Sequence, residues 1–482
     1  MLLVLLGLAS AFWYLLFRIN LNLLGGGDLT ENGIPACPQV DAIHPVKHSI
    51  LHSQLEVLYG WEGFKLSVYS RLGRAIQIPT ESYDDLKPVG QDQRWDIFGT
   101  LHEYLETAFP LVCCPRRSFN GKSVGAPAIF WPIRRFELFG FARECSRIPD
   151  IGKWIWGRGS VDDKADLITQ LVTVDALLKH GFSPSRTIVL AYGIDEEASG
   201  QEGAGKLAGY LEQAYGKDGF AILIDEGGGF KNLGGGDVIM AAPDISEKGY
   251  LDIGIQVNTK GGHSSIPPAH TSIGMLSSMI VHLESHAHSP QLRRSGTPFS
   301  LAQCLAAYDP SFPPELRRLA AEALSDDRAL EQFKEGLVSL FPVWEATLKT
   351  TQAVDLVSGG VKVNALPESA EAVVNHRIAE HSSVRELQEH ITTLLSPIAE
   401  THNLTVKAFG EEVSAGETAA GELVLSDAFY NALEVSPVTP FFGSAPARLL
   451  SGTIKATIES STRYNANHVV VAPSFANGNT GN

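Results

Sequence analysis

Three short acidic clusters carry most of the chemistry open to this chain. Asp162 and Asp163 close the segment WIWGRGSVDDK, Asp195, Glu196 and Glu197 lie in YGIDEEASG, and Asp225 and Glu226 lie in LIDEGGG. Each follows an apolar run that reads as a strand. In an open α/β sheet, ligands gather outside the carboxyl ends of the strands. Acids placed there three times over would converge on one crevice. Carboxylates so close repel one another unless a cation neutralises them, and a divalent metal centre is the natural resolution. The plainer alternative is that each cluster only caps a helix, because Asp and Glu are favoured in a first helical turn. Three clusters in register weigh against it.

The elements that must position these acids follow from the pattern of apolar residues. Short β-rich runs occur at 154–156, 187–192 and 220–224. Between the first two, Leu167, Leu171, Val174 and Leu178 are spaced 4, 3 and 4, one face of a helix. Strands alternating with helices predict an α/β fold with a mainly parallel sheet. Near residue 246 the pattern changes. Leu251, Ile253, Ile255 and Val257 alternate strictly, and Ile273, Leu276, Ile280 and Leu283 mark a helix face. Alternation returns at 372–378, and Ser383 with Glu386 forms a capping box before Leu387, Ile391 and Leu394. This predicts a smaller α+β unit inserted into the first. The runs 448–458 and 468–472 read as strands returning to it. The expected division is an N-terminal anchor or signal over 1–23, a stalk over 24–45, the first unit over 46–245 and 401–482, and the inserted unit over 246–400.

Composition narrows the function. With 482 residues, 44% hydrophobic and 19% charged, the chain is globular. A net charge of −16 makes it a poor partner for nucleic acid. The five cysteines include no CxxC pair, so neither a cysteine zinc site nor a disulfide framework is expected. Residues 1–17 are apolar and uncharged, with Arg18 following, as in a membrane anchor or the core of a signal peptide. The sequon Asn403-Leu404-Thr405 agrees with a secretory route. The stretch 111–150 stands apart, with seven basic residues against three acidic ones and no clear period. It reads either as a basic surface loop or as sequence foreign to the fold.

Taken together, WGRGSVDDK, DEEASG, IDEGGG, KGGHSSIPP and KVNALPE…NHR resemble the M20 family of zinc metallopeptidases. Within that family they are similar to the carboxypeptidase S (Gly-Xaa carboxypeptidase) group of fungal vacuoles, as are IQIPTESYDD and RWDIF. The resemblance implies a zinc-peptidase catalytic domain with an inserted dimerisation, or lid, domain. It implies two zinc ions, with Asp162 bridging them and Glu197 a terminal ligand. Another ligand falls in the pair Asp225-Glu226. Neighbouring strand residues point oppositely, so one of the two is expected to face the metal, and Asp225 is preferred. Glu196 takes the place of the general base. His263, in KGGHSS, matches a histidine that reaches the partner subunit's active site. Asn364 and Arg377 match substrate-binding positions, and an Arg can grip a terminal carboxylate bidentately. The implied substrate is a small peptide, or an N-acyl amino acid on an aminoacylase-like reading. The implied assembly is a homodimer through the lid, in the vacuole lumen.

The sequence also departs from the family pattern. The first metal motif of the family is His-x-Asp, upstream of WGRG. None of the fifteen histidines here has Asp two residues later, and 111–150 holds no histidine. A late histidine ligand follows a GNT-type loop in the family, whereas here Gly478-Asn479-Thr480 is followed by two residues. The expectation is therefore an incomplete metal site, with either weak catalysis or a non-catalytic dimerising remnant.

Overall fold

The structure, a computed structural model, describes residues 37–83, 85–113, 157–198, 200–227, 229–414, 419–461, 464 and 468–478. The expected anchor over 1–23, the run 154–156 and most of 111–150 lie outside these residues. In chain order the first helices are α1 (Ser49–Gly60), α2 (Glu62–Gln77), α3 (Ile97–Ala108), α4 (Lys164–Lys179) and α5 (Ala204–Tyr215). Helices α2, α3 and α4 share one core, in which Leu72, Ala75, Phe98, Leu101, Leu105, Leu167, Ile168 and Leu171 are buried. The predicted face of α4 holds at Leu167 and Leu171. It drifts by Leu178, which is exposed, because the buried stripe continues instead through Asp175 and Ala176.

The runs 187–192 and 220–224 do not form strands among the described residues, contrary to expectation. A strand is stabilised by pairing, and these runs have no ladder partner there. The second run lies open, with Leu223 77% and Ile224 69% exposed, whereas Tyr192 at the end of the first packs into the α2–α4 core. Pairing begins further on, with β1 (Phe230–Leu233), β2 (Val238–Ala241) and β3 (Asp244–Glu247).

The residues 249–259 then form β4 (Gly249–Thr259), where Leu251, Ile253, Ile255 and Val257 are fully buried. Burying each such side chain contributes about 1.5–3 kcal/mol. A two-residue strand β5 (Gly262–His263) and helix α6 (Ser272–Glu284) follow. Next comes a helical stretch, α7 (Thr297–Tyr308), α8 (Pro314–Glu322), α9 (Asp327–Leu340) and α10 (Val343–Thr347), with its own core around Phe299, Phe312, Phe333, Leu337 and Trp344. The chain returns through β6 (Thr351–Gly359), β7 (Ala365–Leu366), β8 (Ser369–Ile378), α11 (Val384–Thr401), β9 (Leu404–Ala408), β10 (Glu411–Ser414) and β11 (Gly421–Asp427). Six strands make one sheet in the order β10-β9-β11-β4-β8-β6. Helices α6 and α11 cover the face to which Leu251 and Ile253 point. Ser383 caps α11, its Oγ accepting from the Glu386 N–H at 3.1 Å. The sheet thus runs past residue 400, where the sequence suggested a boundary.

The C-terminal part holds α12 (Ala445–Ser460), β12 (His468–Val471) and β13 (Ser474–Ala476). The strand expected at 448–458 is therefore a helix. Its buried stripe, Ala447, Ser451, Lys455 and Ile458, is mostly small or polar and gives no apolar period. Strand β12 pairs parallel with β2, which β1 joins antiparallel, and β13 pairs parallel with β3. Two residues of the expected stalk are tied to the fold. Cys37 is fully buried and disulfide-bonded to Cys304 on α7, and Gln39 exchanges hydrogen bonds with Val471. Close approach explains a glycine there, since a Cβ on Gly452 would lie 2.5 Å from Ile43 Cγ1.

Candidate active site

The acidic clusters are set by local devices. Lys164, buried at the start of α4, donates from Nζ to the carbonyl oxygens of Ala75 and Ile78, each at 2.7 Å. Those carbonyls close the C-terminal end of α2, where a cation is favoured. Burial lowers the Lys164 ammonium to about 8. Immediately before it, Asp162 and Asp163 are joined by a cis peptide. The Asp163 carboxyl is raised to about 7, first by burial and then by Asp166, with smaller pushes from Asp162 and Asp225.

Asp195 is a staple rather than a ligand candidate. Its buried carboxylate accepts the N–H groups of Glu202 at 2.9 Å and Gly203 at 2.7 Å. Its own carbonyl accepts from Ala198 and Gly200. These bonds fold Glu196–Ala198 into a single 3-10 turn that presents Glu196 and Glu197, both half-buried. Gly203 must be glycine, because a Cβ would sit 2.4 Å from the Ile194 nitrogen.

Glu226 reports which acids are brought together. Burial raises its carboxyl to about 8, and Glu196, Asp162, Asp163 and Asp225 each push it further up. Asp225 is also raised, by desolvation first, and feels Glu247 at the end of β3. Glu196, Asp162, Asp163 and Asp225 thus all lie close enough to act on Glu226.

The donors gathered there are all carboxylates. Zinc sites draw on imidazole or thiolate nitrogen and sulfur as well as oxygen. Among the described residues no group of three His, Cys, Asp or Glu is arranged to hold a metal ion. The described residues therefore do not by themselves fit a zinc centre.

The lid residues divide between two ends of the sheet. His263 pairs with Ala365 across the β5/β7 ribbon, and Ser264 N–H donates to the Asn364 carbonyl at 3.2 Å. His263 Nδ1 accepts the Ser265 N–H at 3.2 Å, which leaves the proton of a neutral ring on Nε2 as an outward donor. Both His263 and Asn364 are exposed. Arg377 lies at the opposite end of β8, with its guanidinium carbon 4.6 Å from the centre of the Tyr250 ring. At roughly 3.3 Å per residue, the run of β8 from Ser369 to Arg377 spans about 26 Å. Register puts Arg377 opposite Tyr250, close in sequence to Glu247, which Asp225 feels. Arg377 and the pair His263–Asn364 therefore lie toward opposite ends of β8.

Two positioning features go unread in the sequence although Lys164 and Arg377 lie within the motifs WGRGSVDDK and NHR: the Lys164 bridge and the contact of Tyr250 with Arg377. The second has a faint signal, because strand alternation places Asn375 and Arg377 on one face.

The chain belongs to peptidase family M20, since residues 144–460 match the family described as Peptidase family M20/M25/M40. It is 31% identical over 465 residues to Carboxypeptidase S of Saccharomyces cerevisiae, covering 92% of this chain and 80% of that protein. It is 30% identical over 347 residues to the mouse N-fatty-acyl-amino acid synthase/hydrolase PM20D1, covering 67% and 65%. Human carnosine dipeptidase 1 aligns over 87% of this chain and 91% of its own at 12% identity, with a TM-score of 0.48. The family match and the two sequence relatives make the chain an M20-type peptidase, with peptidase or amidohydrolase chemistry. Among the described residues no helix is long and apolar enough to cross a membrane.

Proposed function

We propose that the chain carries the scaffold of a carboxypeptidase for small peptides. The supporting observation is that Glu196, Asp162 and Asp225 all act on Glu226, in a chain whose sheet also carries Arg377 over the Tyr250 ring. Arg377 grips the terminal carboxylate of the peptide, and Glu196 is the general base toward water. By resemblance the cofactor is zinc, with Asp162, Glu197 and Asp225 as candidate ligands. The described acids do not complete such a centre, and no step is assigned through it. Because no histidine precedes an aspartate by two residues, hydrolysis by this polypeptide is expected to be slow or absent.

His263 and Asn364 lie too far along the sheet to meet Arg377 in one chain. Their roles at a substrate are best met by a second copy, paired through the lid. The exposed edge strand β6, with Leu356 and Val357 open to solvent, is where such a copy fits. The domain reading that goes with this is a catalytic unit interrupted by the lid. The Cys37–Cys304 disulfide supports an oxidising compartment, and the vacuole lumen, reached through the secretory pathway with 1–23 as anchor, is the proposed location.

An N-acyl amino acid would present the same carboxylate to Arg377, and the PM20D1 relative favours that second reading. Competition binding separates the two. A peptide with a free C-terminus should bind, and its C-terminal amide should bind markedly less. Equal binding of acid and amide would refute the carboxylate grip, and binding of N-acyl amino acids alone would favour the second reading.

A further inference from the structure

Four residues on the helix-free face of the lid sheet form two directly opposed cross-strand pairs, Tyr250 with Arg377 and Asp252 with Asn375. The Asp252 side chain is nearly fully buried, and both its oxygens are used. Asn375 Nδ2 donates to Oδ1 at 2.9 Å, and the Tyr250 hydroxyl donates to Oδ2. The Tyr250 backbone is fixed as well, through reciprocal hydrogen bonds with Leu433 at 2.9 Å. Close packing continues at Gly249, where a Cβ would lie 2.8 Å from the Leu433 carbonyl oxygen. The ring of Tyr250 is thus held at its hydroxyl and at its backbone, and the Arg377 guanidinium lies over its face.

We propose that Tyr250 is a positioning residue that holds Arg377 flat for the terminal carboxylate of the substrate, with Asp252 and Asn375 locking the Tyr250 hydroxyl. The inference rests on the reading of Arg377 as the carboxylate grip. A guanidinium over an aromatic face gains cation–π attraction there. Its N–H donors lie in the guanidinium plane, so they point along the ring rather than into it. Orienting the fork in advance lowers the entropy lost when a carboxylate binds. The burial and hydrogen bond that hold the hydroxyl also raise the Tyr250 phenol to about 12, so it stays a donor to Asp252 across the working pH range.

The test uses the full chain and two probes, glycyl-leucine and glycyl-leucinamide, titrated by calorimetry. Wild type should favour the acid over the amide. Tyr250→Leu should weaken acid binding about tenfold and leave amide binding unchanged. Tyr250→Trp, which restores a ring, should recover most of the preference. Tyr250→Phe keeps the ring and loses only its anchor, so it should show part of the loss, and it carries the test if the leucine variant does not fold. A full wild-type preference in the leucine variant, or in the phenylalanine variant where that is the one that folds, overturns the proposal. So does equal loss of acid and amide. No acid preference in wild type, or none lost in Arg377→Met, overturns the carboxylate grip itself and this inference with it.

Discussion

Lys164 donates from its buried ammonium to the Ala75 carbonyl oxygen at 2.7 Å, and so ties the loop bearing Asp162 and Asp163 to the C-terminal end of α2. The bridge couples the first acidic cluster to a helix more than eighty residues earlier in the chain. Replacing Lys164 with Met leaves the Ala75 and Ile78 carbonyls without this donor. The expected cost is about 2–4 kcal/mol, counting two charge-assisted hydrogen bonds and their unmet acceptors. Urea unfolding with an unchanged slope checks it, and a shift below about 0.5 kcal/mol would show that the bridge carries little stability.

The second loop should be equally intolerant. Gly203→Ala places a Cβ against the Ile194 nitrogen and the Asp195 carboxylate, and Asp195→Ala removes the acceptor for the Glu202 and Gly203 N–H groups. Each variant should lose about 1–3 kcal/mol. The double variant should lose less than the sum, because both act on one contact. Additive losses in a double-mutant cycle would contradict the staple.

Acid should weaken the lid through its histidines. Burial first, with nearby positive charge, lowers His288 and His376 to about 4, below the ordinary value near 6.5. The unfolded chain then binds more protons than the folded one between those values. The stabilising effect is present above pH ~6.5 and is lost as pH falls toward ~4. Thermal unfolding should fall over that window, and His376→Gln should flatten the slope. A melting temperature independent of pH from about 7 to 4 would refute the assignment.

Reduction should also be costly. The Cys37–Cys304 bond closes a loop with a sequence separation of 267. Its loss is expected to cost about 2–5 kcal/mol on a chain-entropy account. Comparing Cys37→Ser with wild type under oxidising conditions measures this, and equal stability would mean the bond does not constrain the unfolded chain.

Much of the lid was legible because its physics is local. The alternation in β4 and β8 and the Ser383 cap are carried by single residues whose burial and bonds follow from spacing. Helix α12 was misread because its buried stripe is built from Ser451, Gly452, Lys455 and Ala456. The α7–α10 stretch carries an open helical signal, with Leu330, Phe333 and Leu337 spaced 3 and 4, but no motif that speaks of function. The disulfide was invisible because its two cysteines meet only through the packing of β2, β12 and α7. At the site, the three acidic clusters were legible as motifs. The staple at Asp195 was not, because it depends on the close approach of Gly203.

The most direct test of the central claim is the zinc content of the purified full chain after dialysis against low free zinc. Among the described residues no group of three His, Cys, Asp or Glu side chains is arranged to hold a metal ion, so less than about one tightly held ion per chain is predicted, with little release of a C-terminal residue from a dipeptide. About two tightly held ions with steady turnover would contradict it, and would mean that the described carboxylates are completed by ligands the motif pattern does not reveal.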